Sequence, residues 1–337
     1  MSEGGRMSAT ATRPAVYSDK AYNPTIDTLK GALILLVMVG HLFTAKVDGN
    51  PVKWGIYAFH MPLFLGLGGF LLTVESLRRL SFRSLWKKYD TRMLLPWAFA
   101  FLLWISLDSV ITHEINISYF IEALREPPYH TWYIPVFFFF IVIAWAGRYH
   151  FVLTSLIGIF LGVFGLLALG VGHYTGPWRH GFPIDYRYLT MMPFFFFGFW
   201  LRQRGASPPN AWIALLVAAA FSAYEACYFY PANAAEIFPY LALNFSMIAG
   251  MPWLFRLHWK VPIVTEIGRE SLYFYLWHPF ILIVLKKATY HLMPEAIAGL
   301  FALVFTIATM WFARMAICNL SWLSLLAGLP RRAHLKV

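Results

Sequence analysis

Long, predominantly apolar runs are the feature of this sequence that most restricts its fold. Residues 93–111, 151–171 and 297–312 are clear examples, and each approaches or reaches the length of about 20 residues that crosses a bilayer as a helix. Within lipid, backbone N–H and C=O groups must pair inside the protein, which leaves only helices and closed barrels. Barrel strands are about 10 residues long and alternate in polarity, unlike these runs. The sequence therefore predicts an all-α, polytopic membrane protein.

The composition fits this class, and proline and glycine divide the chain into spans. Of the 337 residues, 59% are hydrophobic and 13% are charged, whereas a soluble domain carries about 25% charged residues. We expect a disordered cytoplasmic tail over 1–22, a membrane domain over 23–318 and a cytoplasmic C-terminal tail over 319–337. About ten transmembrane helices are predicted, at 25–45, 54–75, 92–112, 131–147, 151–171, 188–201, 211–230, 237–255, 271–288 and 296–316.

The distribution of positive charge predicts the orientation of these spans. With the N-terminus in the cytoplasm, 19 of the 27 Lys and Arg residues fall on the cytoplasmic side and seven on the outer side, while Lys30 lies within the first span. Such an excess marks the cytoplasmic loops of membrane proteins. We therefore expect a multi-pass protein of a bacterial inner membrane with both termini cytoplasmic. Insertion into the lipid bilayer explains most of the net charge of +11, so no nucleic-acid partner is predicted.

The first span carries two ionisable side chains, and such residues within apolar spans are candidates for function because their burial is costly. Lys30 and His41 are 11 residues apart, which is three helical turns plus about 20°. They therefore share one helix face at a separation of about 16 Å along the axis, with Lys30 near the cytoplasmic end. The alternative is that Lys30 snorkels to the headgroups and His41 joins a local hydrogen-bond network.

The second span carries His60 at a depth similar to that of His41, so the two imidazoles are expected to meet between neighbouring antiparallel helices. Imidazole is the side chain best suited to take a proton from a hydroxyl near neutral pH. The pair is therefore a candidate catalytic centre. No metal site is predicted, and the two cysteines, Cys227 and Cys318, indicate neither a metal site nor a disulfide framework.

A dense basic stretch, interpreted as a cytoplasmic loop, runs from residue 78 to residue 92 just before the third span. Four of its cations are candidates for binding a phosphorylated donor: Arg83, Lys87, Lys88 and Arg92. Membrane topology alone would also favour positive charge in such a loop.

Three further residues are candidates for lining a cavity or contacting an acceptor. His278 is followed by Pro279, which frees the carbonyl of Tyr275 and kinks the helix, so His278 either lines a polar cavity or simply packs. His130 and Trp132, at the outer mouth of the fourth span, belong either to an interfacial aromatic belt or to a sugar-binding surface.

Taken in order, these motifs resemble those of membrane acyltransferase family 3, in particular its fucose 4-O-acetylase-like branch. The similarity covers most of residues 22–318. It rests on Asp27-x-x-Lys30-Gly31 followed by His41, Phe59-His60-Met61-Pro62-Leu63-Phe64, Arg92-x-x-x-Pro96, Trp132 and the segment 271–278. Two positions differ. The family generally carries an arginine ten residues before its first-span histidine, whereas this chain carries Lys30, 11 residues before His41. The family also often has a Ser-Gly pair where this chain has Leu67-Gly68-Gly69.

The resemblance implies transfer of an acyl group, usually acetyl from acetyl-coenzyme A, to a sugar hydroxyl of a cell-surface glycan or glycolipid. On this interpretation His41 and His60 are catalytic, and Lys30 with the four basic candidates binds the donor. Asp27, His130, Trp132 and His278 then belong to the cavity or the acceptor site. Acetyl-coenzyme A is a substrate, and no bound cofactor is expected.

Two other classes of function remain open from the sequence. A transporter or flippase of a glycolipid or small solute would use the histidines as a proton relay, although the sequence shows no internal repeat of the kind common in transporters. A non-catalytic sensor or scaffold is the third possibility.

Overall fold

The computed structural model describes residues 22–43, 50–112, 117–171, 174–205, 213–214, 216–220 and 234–329. The predicted N-terminal tail, apart from Tyr22, and Cys227 lie outside these residues. The described chain is almost entirely helical, with one short antiparallel hairpin of β1 (Gly170–Val171) and β2 (Tyr174–Thr175). The helices are α1 Pro24–Gly40, α2 Pro51–Phe70, α3 Val74–Arg78, α4 Phe82–Tyr89, α5 Leu95–Thr112, α6 Ile117–Arg125, α7 Tyr133–Ala146, α8 Phe151–Leu169, α9 Arg187–Thr190, α10 Met192–Gln203, α11 Ile237–Phe255, α12 Pro262–Arg269, α13 Ser271–Thr289, α14 Glu295–Ile317 and α15 Ser321–Ala327.

The all-α prediction is confirmed, and nine of the ten predicted spans coincide with described helices. The tenth, 211–230, is described only at 213–214 and 216–220, which are helical. Among the described residues, four helical segments are long and apolar enough to cross a membrane: Phe82–Ile111, Phe151–Leu169, Ile237–Phe255 and Glu295–Ile317. A transmembrane count of ten and the orientation of the termini therefore stay predictions.

Glycines allow two helices at the centre of the bundle to cross in backbone contact. A Cβ atom on Gly198 of α10 would lie 2.0 Å from the carbonyl oxygen of Gly66 in α2, and one on Gly69 would lie 2.1 Å from the carbonyl oxygen of Phe195. Small residues permit such close approach between membrane helices. The α2–α10 contact, with the fully buried rings of Phe194, Phe195 and Phe196 around it, forms the core of the bundle.

The basic segment at 78–92 is helical from Phe82 onward, which corrects its interpretation as a loop. Helix α4 begins after Ser81, whose hydroxyl accepts the N–H of Ser84 at 3.2 Å, and a single π-helical turn (Asp90–Leu94) joins α4 to α5. Its apolar residues recur at helical spacing, and Leu85 is fully buried. The cations of the segment therefore occupy fixed positions on a helix.

The predicted C-terminal tail begins with a packed helix. Trp277 Nε1 of α13 donates to the carbonyl of Ala327 at 3.0 Å, and Ala327 and Leu329 are buried. Gly328 adopts a positive φ of 78° as the helix ends, which is a conformation that favours glycine. The helical bundle therefore continues to about residue 329.

Candidate functional site

Two cavities lie in the bundle and share a wall. The first, of about 370 Å³, has three cations in its lining, Lys30, Lys88 and Arg92, and we call it the basic cavity. Its remaining walls are largely apolar and come mainly from α2, α7 and the start of α13: Phe64, Leu67, Gly68, Leu71, Leu72, Tyr133, Ile134, Phe137, Ser271, Leu272 and Tyr275. Ser76 of α3, Tyr89 of α4 and Met93 of the π-helical turn complete the lining. A long ligand with an anionic end and a thin uncharged arm matches this distribution of charge.

The second cavity, of about 310 Å³, has three histidines in its lining, His41, His60 and His130, and we call it the histidine cavity. Six of the other fourteen lining residues are aromatic, and the fourteen are Val37, Tyr57, Met61, Pro62, Tyr129, Trp132, Gly170, Val171, Tyr186, Arg187, Thr190, Met191, Tyr240 and Tyr275. Aromatic rings with polar edges fit a ligand that has both apolar faces and hydroxyl groups.

Helix α1 connects the two cavities. Lys30 lines the basic cavity and His41, three turns further along, lines the histidine cavity. Lys30 Nζ binds Asp27 Oδ1 at 2.7 Å, and the Asp27 carboxylate also lies 3.9 Å from Arg269 Nε. Asp27 itself is not a lining residue of either cavity. It contacts Lys30 and Arg269, whereas the resemblance predicts it in the cavity or the acceptor site.

Three imidazoles are oriented by backbone carbonyls. His60 Nδ1 lies 2.6 Å from the Ile56 carbonyl oxygen, His278 Nδ1 lies 2.8 Å from that of Phe274, and His130 Nε2 lies 3.1 Å from that of Leu276. A carbonyl can only accept, so the neutral ring donates an N–H there and keeps its other nitrogen as a base. His278 Nε2 and His130 Nδ1 are buried and have no hydrogen-bond partner within the described part of the chain.

His278 is the ring that His41 contacts. The centroids of these two rings are 5.5 Å apart, and the His278 ring is 5.7 Å from that of His130. The three imidazoles therefore form a chain from α1 through α13 to the residues before α7. The sequence predicts that the imidazoles of His41 and His60 meet. In the structure His60 lines the same cavity as His41, and its ring packs on that of Tyr57 at a centroid distance of 5.0 Å.

The end of α1 that carries His41 is held by side chains from other helices. Lys286 Nζ of α13 donates to the His41 carbonyl at 2.7 Å, and the Tyr290 hydroxyl donates to the Leu42 carbonyl. Lys53 Nζ of α2 donates to the Phe43 carbonyl at 3.4 Å. Cations satisfy unpaired carbonyls and are favourable at a helix C-terminus, so these contacts fix the position of His41.

The remaining predicted donor-binding residues divide into two groups. Lys88 and Arg92 line the basic cavity with Lys30. Arg83 and Lys87 are exposed on α4 and are not lining residues of the cavity, because they fall on the opposite face of that helix. The structure therefore does not bring Arg83 and Lys87 together with the other predicted donor-binding residues.

Sequence reasoning missed an ion pair beside Trp132. The Asp185 side chain is 1% exposed and binds Arg187 Nη2 at 2.6 Å, while the Arg187 guanidinium lies 4.5 Å from the centroid of the Trp132 ring. Arg187 and Trp132 both line the histidine cavity. Sequence spacing alone could not predict this ion pair beside Trp132, because the contact depends on how the fold brings α9 to Trp132.

Comparison with known proteins identifies the family of this chain. A family model described as an acyltransferase domain matches residues 23–315. The chain belongs to this family. The match confirms the resemblance to membrane acyltransferase family 3.

Two curated relatives are similar to this chain over part of their length. Nodulation protein NolL of Mesorhizobium japonicum is 36% identical over 95 residues, which are 26% of this chain and 25% of the relative. Nodulation protein NolL of Sinorhizobium fredii is 41% identical over 61 residues, 16% of this chain and 17% of the relative. The chain thus spans a quarter or less of these relatives in the matched regions. No solved structure matches the chain significantly.

Proposed function

We propose that the protein is an integral membrane O-acyltransferase of the bacterial inner membrane. It moves an acetyl group from cytoplasmic acetyl-coenzyme A to a sugar hydroxyl of an exported or cell-surface glycan or glycolipid. The observation that carries the proposal is the pair of cavities on α1. One presents cations to a donor, the other presents histidines and aromatic rings to an acceptor, and the two share a wall.

The donor is assigned to the basic cavity by charge and shape. Lys30, Lys88 and Arg92 are placed to bind the phosphates of coenzyme A, because charge-assisted hydrogen bonds to phosphate are among the strongest available. The apolar walls beyond them accept the pantetheine arm and exclude water from the thioester. In this arrangement the thioester carbonyl is delivered to the end of the cavity nearest His41.

The acceptor is assigned to the histidine cavity. His41 takes the proton of the sugar hydroxyl, and the hydroxyl oxygen forms a bond to the acetyl carbon while the carbon–sulfur bond breaks. The proton then passes from His41 to the departing thiolate, giving free coenzyme A. His278 supports the imidazolium of His41 through the ring contact, and His60 shapes the same cavity. Trp132 and His130 provide surfaces for the sugar.

Replacement of His41 tests the chemistry. Membranes containing His41→Ala should incorporate about 10²–10⁴-fold less acetyl from labelled acetyl-coenzyme A into alkali-labile ester, because general base catalysis contributes a factor of this size. His150→Ala is the matched control: His150 is exposed at the start of α8, away from both cavities, and the variant should retain full activity. Ester formation by His41→Ala at the wild-type rate would disprove the assignment.

A further inference from the structure

Among the residues that the structure describes, Tyr275 is the one side chain common to both cavity linings. It lines the basic cavity with Lys30 and Tyr133, and it lines the histidine cavity with His41 and His130. Its side chain is 4% exposed, so the ring is enclosed and not at the mouth of either cavity. A group passing from one cavity to the other must pass this ring.

The Tyr275 ring is held in place from several sides. The Tyr275 hydroxyl donates to the backbone carbonyl of His130. The centroid of the Tyr275 ring is 5.4 Å from that of the Tyr133 ring and 5.5 Å from that of the His130 ring. Tyr133 is in turn stacked on Phe137 at 5.5 Å with an interplanar angle of 9°. These contacts make a layer of rings between the cavities.

The backbone behind Tyr275 lacks one helical hydrogen bond. Pro279 lies inside α13, four residues after Tyr275, and proline has no N–H to donate to the Tyr275 carbonyl. The Tyr275 carbonyl, beside the boundary between the two cavities, therefore has no N–H donor four residues further along the helix.

We propose that Tyr275 is the barrier between the donor and acceptor cavities and that it sets the size of the acyl group that reaches His41. This proposal rests on the function proposed above, in which the acyl carbonyl crosses from the basic cavity to the histidine cavity. The intact ring admits acetyl, excludes longer acyl groups and separates the thioester from water in the histidine cavity. Tyr275 is thus a specificity-determining residue that the sequence did not reveal.

The first experiment compares donors of different acyl length. The ratio of kcat/KM for propionyl- against acetyl-coenzyme A should rise about tenfold or more in Tyr275→Ala, because one methylene in a fitted pocket typically discriminates by 10–200-fold. Tyr275→Phe keeps the ring and should keep the wild-type ratio. Tyr273→Ala is the matched control: Tyr273 is equally buried on α13 and its hydroxyl donates to the Met310 carbonyl at 3.0 Å. Equal ratios in Tyr275→Ala and Tyr273→Ala would overturn the proposal.

The second experiment measures the barrier without any acyl transfer. Leu72, which lines the basic cavity, is changed to cysteine in a chain with Cys227→Ser and Cys318→Ser, and sealed vesicles are treated with a small charged methanethiosulfonate. Reagent on the side of the basic cavity should label Leu72→Cys in every protein. Reagent on the opposite side should label it only when Tyr275→Ala is also present.

The two experiments separate the two proposals. If the extent of labelling of Leu72→Cys from the opposite side is the same with and without Tyr275→Ala, the proposed barrier is overturned, even in an active enzyme. Absence of ester formation by the wild-type protein would disprove the proposed function, and the labelling would then decide the barrier on its own.

Discussion

The imidazoles owe their orientation to main-chain carbonyls. His60, His130 and His278 each donate one N–H to a carbonyl oxygen at 3.1 Å or less, which leaves the second ring nitrogen as the base. This is the way enzymes commonly fix the tautomer of a catalytic histidine. His41 differs, because its position is set at the end of α1, where Lys286 holds its carbonyl.

Replacement of Lys286 tests how His41 is positioned. Lys286→Met removes the donor to the His41 carbonyl and the favourable charge at the end of α1. We expect kcat to fall about tenfold with little change in KM for acetyl-coenzyme A, because the donor binds at the other end of the helix. Lys286→Arg should restore most of the loss.

Lys287→Met is the control for the change of charge. Lys287 is the next residue of α13 and is exposed, so its replacement should leave kcat unchanged. A fall in kcat for Lys287→Met equal to that for Lys286→Met would show that net positive charge matters and that the contact with His41 does not.

Single residues also show where sequence reasoning succeeds. The positions of Lys30 and His41 follow from spacing within one regular helix, and the structure places both at cavities. The positions of Lys286, Arg187 and Tyr275 depend on contacts between segments far apart in sequence. Helical periodicity carries no information about such contacts, so these residues could not be predicted.

At the level of helices, apolar length and proline or glycine punctuation predicted most boundaries to within a few residues. The high density of charge at 78–92 predicts a loop, and this prediction is wrong for the part that forms α4. Its apolar residues at helical spacing and the capping Ser81 outweigh the charge. The helix α15 was missed because it follows the last long apolar run and is only seven residues long.

The crossing of α2 and α10 gives a test of packing. In Gly198→Ala, the added methyl group would meet the Gly66 carbonyl oxygen at 2.0 Å, so the helices must separate. We expect a destabilisation of about 1–3 kcal/mol, the usual cost of overpacking, measured as a lower midpoint of thermal unfolding in detergent.

The matched control for this packing test is Gly55→Ala in α2. No atom lies within 4 Å of a Cβ built there, and alanine is favoured over glycine within helices by about 0.5–1 kcal/mol. Gly55→Ala should therefore leave the midpoint unchanged or raise it. A lower midpoint for Gly55→Ala than for Gly198→Ala would contradict the packing described for α2 and α10.

At the scale of the whole molecule, the two cavities lie towards opposite ends of helix α1. Lys88 and Arg92 of the basic cavity come from a segment predicted to be cytoplasmic, and Tyr129 and Arg187 of the histidine cavity come from segments predicted to lie on the outer side. Under the proposed function, the enzyme therefore takes its donor and its acceptor from opposite faces of the membrane, and the acetyl group crosses between them at His41.

The sidedness of the donor tests this claim most directly. Sealed inside-out and right-side-out membrane vesicles are supplied externally with labelled acetyl-coenzyme A, which does not cross the bilayer, and alkali-labile acetyl ester is measured, with His41→Ala as the blank. We predict ester formation in inside-out vesicles, where the donor meets the cytoplasmic face, and none above the blank in right-side-out vesicles. Equal ester formation from both faces, or formation only in right-side-out vesicles, would contradict the account.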